Sequence, residues 1–172
     1  MLFKLFHPVK FKNKTMIQID QKAPDFTLYD SDKNKVTLSS FHGTHHVLLL
    51  FFPLAFTGVC TRELCSVRDD IGRYDIANAR VMGISVDSVY SLAKFKTEQA
   101  INFPLLSDFN KEASNAFGCI YESFTDMHLK GVSKRSAFII DKQGVIKYAE
   151  VLDNAGELPD FQAIHKILES LD

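Results

Sequence analysis

Short apolar runs alternate with segments of helical periodicity along most of the chain. The most apolar run extends from His46 to Phe52 and ends before Pro53. It is too short for a buried helix and is typical of a central strand covered on both faces. Polar and apolar residues alternate from Asp25 to Tyr29, a turn-forming stretch follows, and Lys35 to Leu38 has the pattern of a return strand. These patterns predict an N-terminal β-hairpin followed by a buried central strand.

Helical periodicity begins after the central strand. Apolar residues recur every three or four positions from Cys60 to Tyr74, which predicts an amphipathic helix. Arg80 to Val86 is again strand-like, and Asp87-Ser88 caps a second helix that runs to about Gln99. The remaining elements are a short edge-like strand (Phe103 to Leu106), a short helix (Asn110 or Lys111 to Phe117, ended by Gly118), a hairpin (Ala137 to Ile140 and Val145 to Val151, joined by a turn over Asp141 to Gly144) and a last helix from Pro159 or Asp160. This alternation predicts an α/β fold, a mixed central sheet flanked by helices.

Composition and charge exclude several classes of protein. Of the 172 residues, 46% are hydrophobic and 24% are charged, as in ordinary globular domains. Because 20 Lys and Arg face 21 Asp and Glu, no overall field attracts nucleic acid or an anionic membrane, and we expect neither as a partner. The longest apolar run, Val47 to Phe56, is too short to span a bilayer.

The first fifteen residues differ from the rest in charge, with four lysines and no acidic residue. This shift predicts a basic, flexible N-terminal extension over residues 1–15 and a single domain over residues 16–172. The extension has neither the apolar segment nor the cleavage site of a secretory signal. We therefore expect a cytoplasmic protein.

Cys60 is the thiol with the most informative position. It falls in the first turn of a predicted helix, where unpaired backbone N–H groups and the helix dipole stabilise a thiolate. Pro53 and Thr57 precede it, so a proline can shield the sulfur and a hydroxyl can face the same cavity. A reactive cysteine is one interpretation, and a small buried hydrophobe is the other.

Cys65 follows five positions later and cannot bond to Cys60 while the helix is intact. Residues at this spacing have Cα atoms roughly 8–9 Å apart, whereas a disulfide needs roughly 7 Å or less. A bond between them would require local unwinding, which is the behaviour of a switch, and a core cysteine is the alternative. Cys119 follows a helix end in an apolar setting and is predicted to be structural.

Other chemistry-bearing residues give weaker signals. Arg135 stands directly before a buried strand, where a cation could pair with a thiolate, and Glu63 could hold that arginine in place. Solvated side chains are the alternative for both. His42, His45 and His46 suggest a metal site, but their spacing matches no standard zinc pattern. A metal-binding protein that uses His42, His45 and Cys60 is a further alternative.

The segment from Phe51 to Cys65 resembles the active-site segment of the peroxiredoxins, thiol peroxidases with a thioredoxin-like fold. The resemblance covers about residues 17 to 172 and includes Ala23 to Phe26, Phe103 to Asp108 and Arg135 to Asp141. The Phe52 to Gly58 portion and the Ile146 to Glu150 region are most similar to the AhpE-type branch, which often keeps only one catalytic cysteine. The position of Cys65 is instead similar to the PrxQ/BCP type.

The resemblance implies a role for each candidate residue: Cys60 as the peroxidatic cysteine, Thr57 as the peroxide-binding hydroxyl, Pro53 as the shield, Arg135 as the stabilising cation, Glu63 as a supporting acid and Cys65 as the resolving thiol. It implies no metal and no organic cofactor. The partners would be a peroxide and a thioredoxin- or glutaredoxin-like reductant, and the protein would be a monomer or a homodimer. A one-cysteine cycle, a disulfide oxidoreductase and a non-catalytic redox-sensing module remain alternatives.

Overall fold

The computed structural model describes residues 17–171, so the predicted extension over residues 1–15 lies outside the described chain. Within that range, a short 3-10 turn (Leu38–Phe41) accompanies seven strands and five α-helices. The strands are β1 (Thr27–Asp30), β2 (Lys35–Thr37), β3 (His46–Phe51), β4 (Ala79–Ser85), β5 (Leu105–Ser107), β6 (Ser136–Ile140) and β7 (Ile146–Val151). The helices are α1 (Gly58–Asp69), α2 (Ile71–Ile76), α3 (Val89–Glu98), α4 (Glu112–Ala116) and α5 (Phe161–Glu169).

The strands form one mixed sheet in the order β2-β1-β5-β4-β3-β6-β7. The pairs β3/β4 and β4/β5 are parallel, while the other neighbours are antiparallel. The α/β class and both hairpins, β1/β2 and β6/β7, are therefore confirmed. All six residues of β3 are buried, as expected for a strand covered on both faces.

Alternate residues of β3 supply the two hydrophobic clusters that cover the sheet. Leu48 and Leu50 belong to the cluster that includes apolar residues of α1, α2, α3 and α5. Val47, Leu49 and Phe51 belong to the other, which includes residues of α4 and the 3-10 turn. This alternation follows from the two-residue period of a strand. Packing on both faces therefore holds the end of β3, and with it the start of α1, between the two hydrophobic clusters.

The expectation of one helix from Cys60 to Tyr74 is wrong, because Asp70 separates α1 from α2. Its backbone leaves the helical conformation (φ −110°, ψ 16°), and its carboxylate lies 3.3 Å from Nε2 of His165 on α5. Aspartate is a poor interior helix residue because its side chain competes with the backbone for hydrogen bonds. Tyr74 remains buried after the break, which explains why the apolar periodicity continues through it.

The expectation that the Phe103 to Leu106 segment is an edge strand is also wrong. β5 lies inside the sheet between β4 and β1. Pro104 precedes the first residue of β5, so its missing N–H interrupts no ladder, while its carbonyl accepts from Gly83 N at 3.0 Å. Smaller differences concern element ends: the return strand stops at Thr37, and α4 begins only at Glu112.

No helix within residues 17–171 has the length and apolar character needed to cross a membrane.

Candidate active site

The candidate site lies where β3 ends and α1 begins. Cys60 is the third residue of α1, and its side chain is buried, with 1% of the residue exposed. The first N–H groups of a helix have no intrahelical partner, so this position surrounds the sulfur with donors. A pocket of about 240 Å³ opens beside it, lined by Pro53, Thr57, Gly58, Val59, Cys60, Phe124, Arg135, Ala155 and Gly156.

Arg135 brings a buried positive charge to the sulfur. It precedes β6 by one residue, and Nη2 lies 3.4 Å from Sγ of Cys60. The same Nη2 donates to the carbonyl oxygen of Ala155 at 3.0 Å, and Nε donates to that oxygen at 3.3 Å. Burial alone would lower the pKa of Arg135, but Glu63 and then Cys60 raise it above its ordinary value. The guanidinium is therefore charged and held in one orientation.

Glu63 is the acid that pairs with this arginine. Its Oε2 accepts from Nη1 of Arg135, and both side chains are buried. Burial raises the pKa of Glu63 to about 7, and the charge of Arg135 opposes that rise only in part. Its other oxygen, Oε1, is buried without a hydrogen-bond partner in residues 17–171. The prediction that Glu63 could hold Arg135 agrees with this contact, whereas the alternative of a solvated glutamate is wrong.

Thr57 and Pro53 lie on the pocket wall, as their spacing from Cys60 suggested. Thr57 is the N-cap of α1, but its hydroxyl makes no capping bond in the described chain and donates to the carbonyl oxygen of Leu54 at 2.8 Å. With its proton engaged there, the hydroxyl oxygen presents lone pairs to the pocket. Pro53 is buried and lines the same pocket as Cys60.

Asp87 fixes the loop that carries these residues. Its Oδ2 accepts from the backbone N–H of Ala55 and from the hydroxyl of Ser85, each at 2.8 Å. Ser88 alone caps α3, since its hydroxyl accepts from Ser91 N. The interpretation of Asp87 as a helix cap is therefore wrong, because its carboxylate turns toward the active-site loop.

Cys65 lies on α1 but outside the Cys60 pocket. It is half-buried, and its Sγ is 3.8 Å from Oε1 of Gln99 and 3.4 Å from Nη1 of Arg68. α1 is continuous past both cysteines, and no disulfide joins Cys60 to Cys65. The geometry agrees with the expectation that bonding requires this helix to unwind.

The remaining candidates lie away from the pocket. Cys119 is buried in the hydrophobic cluster on the other face of the sheet, in agreement with a structural role. His42 and His45 precede β3, whereas Cys60 follows it, so the strand separates the members of the proposed metal site. Among residues 17–171, no group of three or more His, Cys, Asp or Glu side chains could hold a metal ion.

Sequence reasoning missed the far wall of the pocket. Phe124 reaches it from the segment between α4 and β6, and Ala155 contributes the carbonyl oxygen that orients Arg135. A backbone carbonyl leaves no signature in a sequence. The pairing of Phe124 with Tyr121, with ring centroids 5.0 Å apart, depends on the fold of that segment.

Fold and site together define a thiol-based redox protein built around a buried cysteine at a helix N-terminus. Residues 19–149 match the model of the AhpC/TSA family. The chain is 37% identical over 147 residues to alkyl hydroperoxide reductase E of Mycobacterium tuberculosis, covering 84% of this chain and 92% of that protein.

Solved structures agree with the family match. Peroxidoxin BcpB of Mycobacterium tuberculosis superposes with a TM-score of 0.80 at 25% identity, covering 91% of this chain and 99% of that one. Peroxiredoxin Q of Xanthomonas campestris gives a TM-score of 0.75 at 26% identity, covering 84% and 90% of the two chains.

The chain therefore belongs to the AhpC/TSA family, whose matched members are named peroxiredoxins and alkyl hydroperoxide reductases. The expected thioredoxin-like peroxiredoxin fold is confirmed. The expected class of enzyme, a thiol-dependent peroxidase, is confirmed at the level of the family.

Proposed function

We propose that Cys60 is the sulfur that this enzyme uses to reduce peroxides. The observation that carries the proposal is the 3.4 Å contact between Arg135 Nη2 and Cys60 Sγ at the floor of a pocket. A thiolate is the nucleophilic form of cysteine, and a fixed cation and the N-terminus of α1 both stabilise it. The surrounding residues are those that the first step of the reaction needs.

In this step the thiolate attacks the terminal oxygen of a hydroperoxide. A sulfur–oxygen bond forms, the O–O bond breaks, and the leaving alkoxide or hydroxide takes up a proton, so that Cys60 becomes a sulfenic acid. The Thr57 oxygen accepts the peroxide O–H, because its own proton is engaged by Leu54. Arg135 stabilises the charge that moves onto the leaving oxygen.

The pocket wall suits organic hydroperoxides in addition to hydrogen peroxide. Its side chains beyond the reacting groups are apolar, with Pro53, Val59 and Phe124 around the sulfur. An alkyl substituent on the peroxide would displace water from these surfaces. The relative named alkyl hydroperoxide reductase E is consistent with such a substrate.

Cys65 is the resolving thiol in this proposal. After oxidation the first turn of α1 unwinds, the Cys65 sulfur displaces the sulfenic oxygen as water, and a Cys60–Cys65 disulfide results. A dithiol of the thioredoxin or glutaredoxin type then reduces it by exchange. All these groups belong to one chain, so a monomer suffices, and the reductant requires a reducing compartment such as the cytoplasm.

A one-cysteine cycle is the second candidate, because α1 is continuous between the two cysteines in the reduced protein. In that cycle an external thiol would attack the Cys60 sulfenic acid directly. A rapid but stoichiometric oxidation with no recycling would instead indicate a redox-sensing module.

Cys65→Ser distinguishes these possibilities, with Cys119→Ala as the control for loss of a cysteine elsewhere. We expect Cys65→Ser to consume one equivalent of peroxide rapidly and then to stall with a thioredoxin-type reductant. Cys119→Ala should turn over continuously, since Cys119 packs in the opposite cluster. Sustained turnover by Cys65→Ser would contradict the role of Cys65 and support the one-cysteine cycle.

A further inference from the structure

The surroundings of Cys65 contain a cation that the catalytic site does not use. Arg68 lies one helical turn after Cys65 on α1, and its Nη1 is 3.4 Å from the Cys65 sulfur. The same Nη1 donates to the backbone carbonyl of Gln99 at 2.5 Å, while Nε donates to Asp69 Oδ1 at 2.8 Å. Two further contacts therefore hold this guanidinium beside the sulfur.

We propose that Arg68 is a catalytic residue for the resolving step: its guanidinium, 3.4 Å from the Cys65 sulfur, stabilises the Cys65 thiolate as it attacks the Cys60 sulfenic acid. This inference rests on the proposed role of Cys65. The attack forms the S–S bond and breaks the S–O bond of Cys60. Hydroxide leaves and combines with the proton that Cys65 lost, so that water is the second product and the oxidant is the sulfenic acid itself.

The Cys65 sulfur contacts two neighbouring side chains, those of Gln99 and Arg68. The thiol donates to Oε1 of Gln99 at 3.8 Å, and rotation of the amide would present its NH₂ group to a thiolate. Within residues 17–171, the charged groups whose contacts reach this sulfur are Arg68 and, through it, Asp69, while Gln99, which follows α3, is neutral. Asp69 and then Cys65 raise the pKa of Arg68, so the guanidinium stays charged.

The same contacts anchor the second half of α1. The Arg68 side chain donates to the backbone carbonyl of Gln99. The backbone carbonyl oxygen of Arg68 accepts from Nδ2 of Asn102 at 3.1 Å. Both partners lie between α3 and β5, so the Cys65 end of α1 is tied to that segment. The Cys60 end begins instead with a cap residue, Thr57, whose side chain makes no capping bond in the described chain. In this proposal Cys65 stays in place, and the turn that contains Cys60, ahead of the Glu63–Arg135 pair, unwinds.

The test separates sulfenic acid formation from disulfide formation in Arg68→Gln. Since the chain has no tryptophan, rapid acid quench, alkylation of remaining thiols and mass spectrometry are used to measure each species. We expect sulfenic acid formation to stay within about twofold of the wild type, because Arg68 is outside the pocket. Disulfide formation should slow about tenfold at neutral pH, since the loss of one charged contact reduces the stabilisation of the attacking thiolate by about that factor. The rate should recover as the pH rises.

Two further variants complete the experiment. Arg68→Lys keeps the charge and should restore part of the rate, and its pH profile should lie nearer to that of the wild type. Arg73→Gln removes an exposed arginine that pairs with Glu169 and should leave both steps and their pH profiles unchanged.

Three results would contradict the role of Arg68, and they differ in what else they exclude. A Cys60–Cys65 disulfide that forms in Arg68→Gln at the wild-type rate, with an unchanged pH profile, overturns the role of Arg68 alone. Equal slowing of both steps, with no movement of the pH profile, also overturns it, because the residue would then be merely structural. If the wild type forms no Cys60–Cys65 disulfide, the role of Cys65 fails as well, and this inference fails with it.

Discussion

Nη2 of Arg135 lies 3.4 Å from Sγ of Cys60, although 75 residues separate them in the chain. The contact exists because β3 and β6 pair in antiparallel fashion, so that the loop after the end of β3 lies beside the start of β6. Glu63 holds the guanidinium from the next turn of α1. A buried thiol, a buried cation and a buried acid thus form one unit, and each member has a testable effect.

Arg135→Met should slow the oxidation of Cys60 by about 100-fold or more, since the variant removes the charge that we propose stabilises the developing oxyanion. Arg135→Lys should lose less, because it keeps the charge but not the fork that reaches Glu63, Ala155 and Cys60 together. The measurement is the second-order rate constant for peroxide under single-turnover conditions. Equal rates for the wild type and Arg135→Met would contradict the role of the cation.

Thr57→Val should slow the same step by about 100-fold, because a methyl group replaces the oxygen that we propose accepts the peroxide O–H. Thr57→Ser keeps the hydroxyl and should stay within about threefold of the wild type. In the described chain the Thr57 side chain makes no helix-capping bond, so the valine variant does not remove a cap. A wild-type rate in Thr57→Val would show that the hydroxyl has no part in binding peroxide.

Glu63→Gln should change how stability depends on pH. Burial raises the pKa of Glu63 from 4.5 to about 7. Between these values the folded protein binds a proton that the unfolded chain does not, so this group's contribution to the free energy of unfolding falls as the pH rises. Glutamine does not titrate and lacks this contribution.

Urea unfolding of the wild type and Glu63→Gln at several pH values measures this difference. We expect the free energy of unfolding of the wild type, minus that of the variant, to decrease from pH 4.5 to about 7. A difference that stays constant or increases over this interval would show that burial does not control the pKa of Glu63.

Features with a local cause could be predicted from the sequence. The buried strand β3, the cap at Ser88 and the turn before β7 depend on residues within a few positions of each other. Cys60, Thr57 and Pro53 also share one local segment, which explains why their spacing pointed to one pocket.

Features that depend on distant partners could not be predicted in this way. The helix breaks at Asp70, which contacts His165 of the C-terminal helix. Glu63 is buried because Arg135, 72 residues away, pairs with it. The carboxylate of Asp87, which follows β4, similarly turns to Ala55, which follows β3 and lies 32 residues earlier in the chain. Local patterns contain no information about these contacts.

The most direct test of the central claim is mass spectrometry of the reduced protein after one equivalent of peroxide. Trypsin cleaves after Arg62, so Cys60 and Cys65 fall in different peptides, and a disulfide between them joins residues 36–62 to residues 63–68. We predict this linked pair in the wild type, a lone Cys60 sulfenic acid in Cys65→Ser, and no rapid oxidation or peroxide consumption in Cys60→Ser. Recovery of Cys60 as an unmodified thiol while the peroxide disappears would contradict the account.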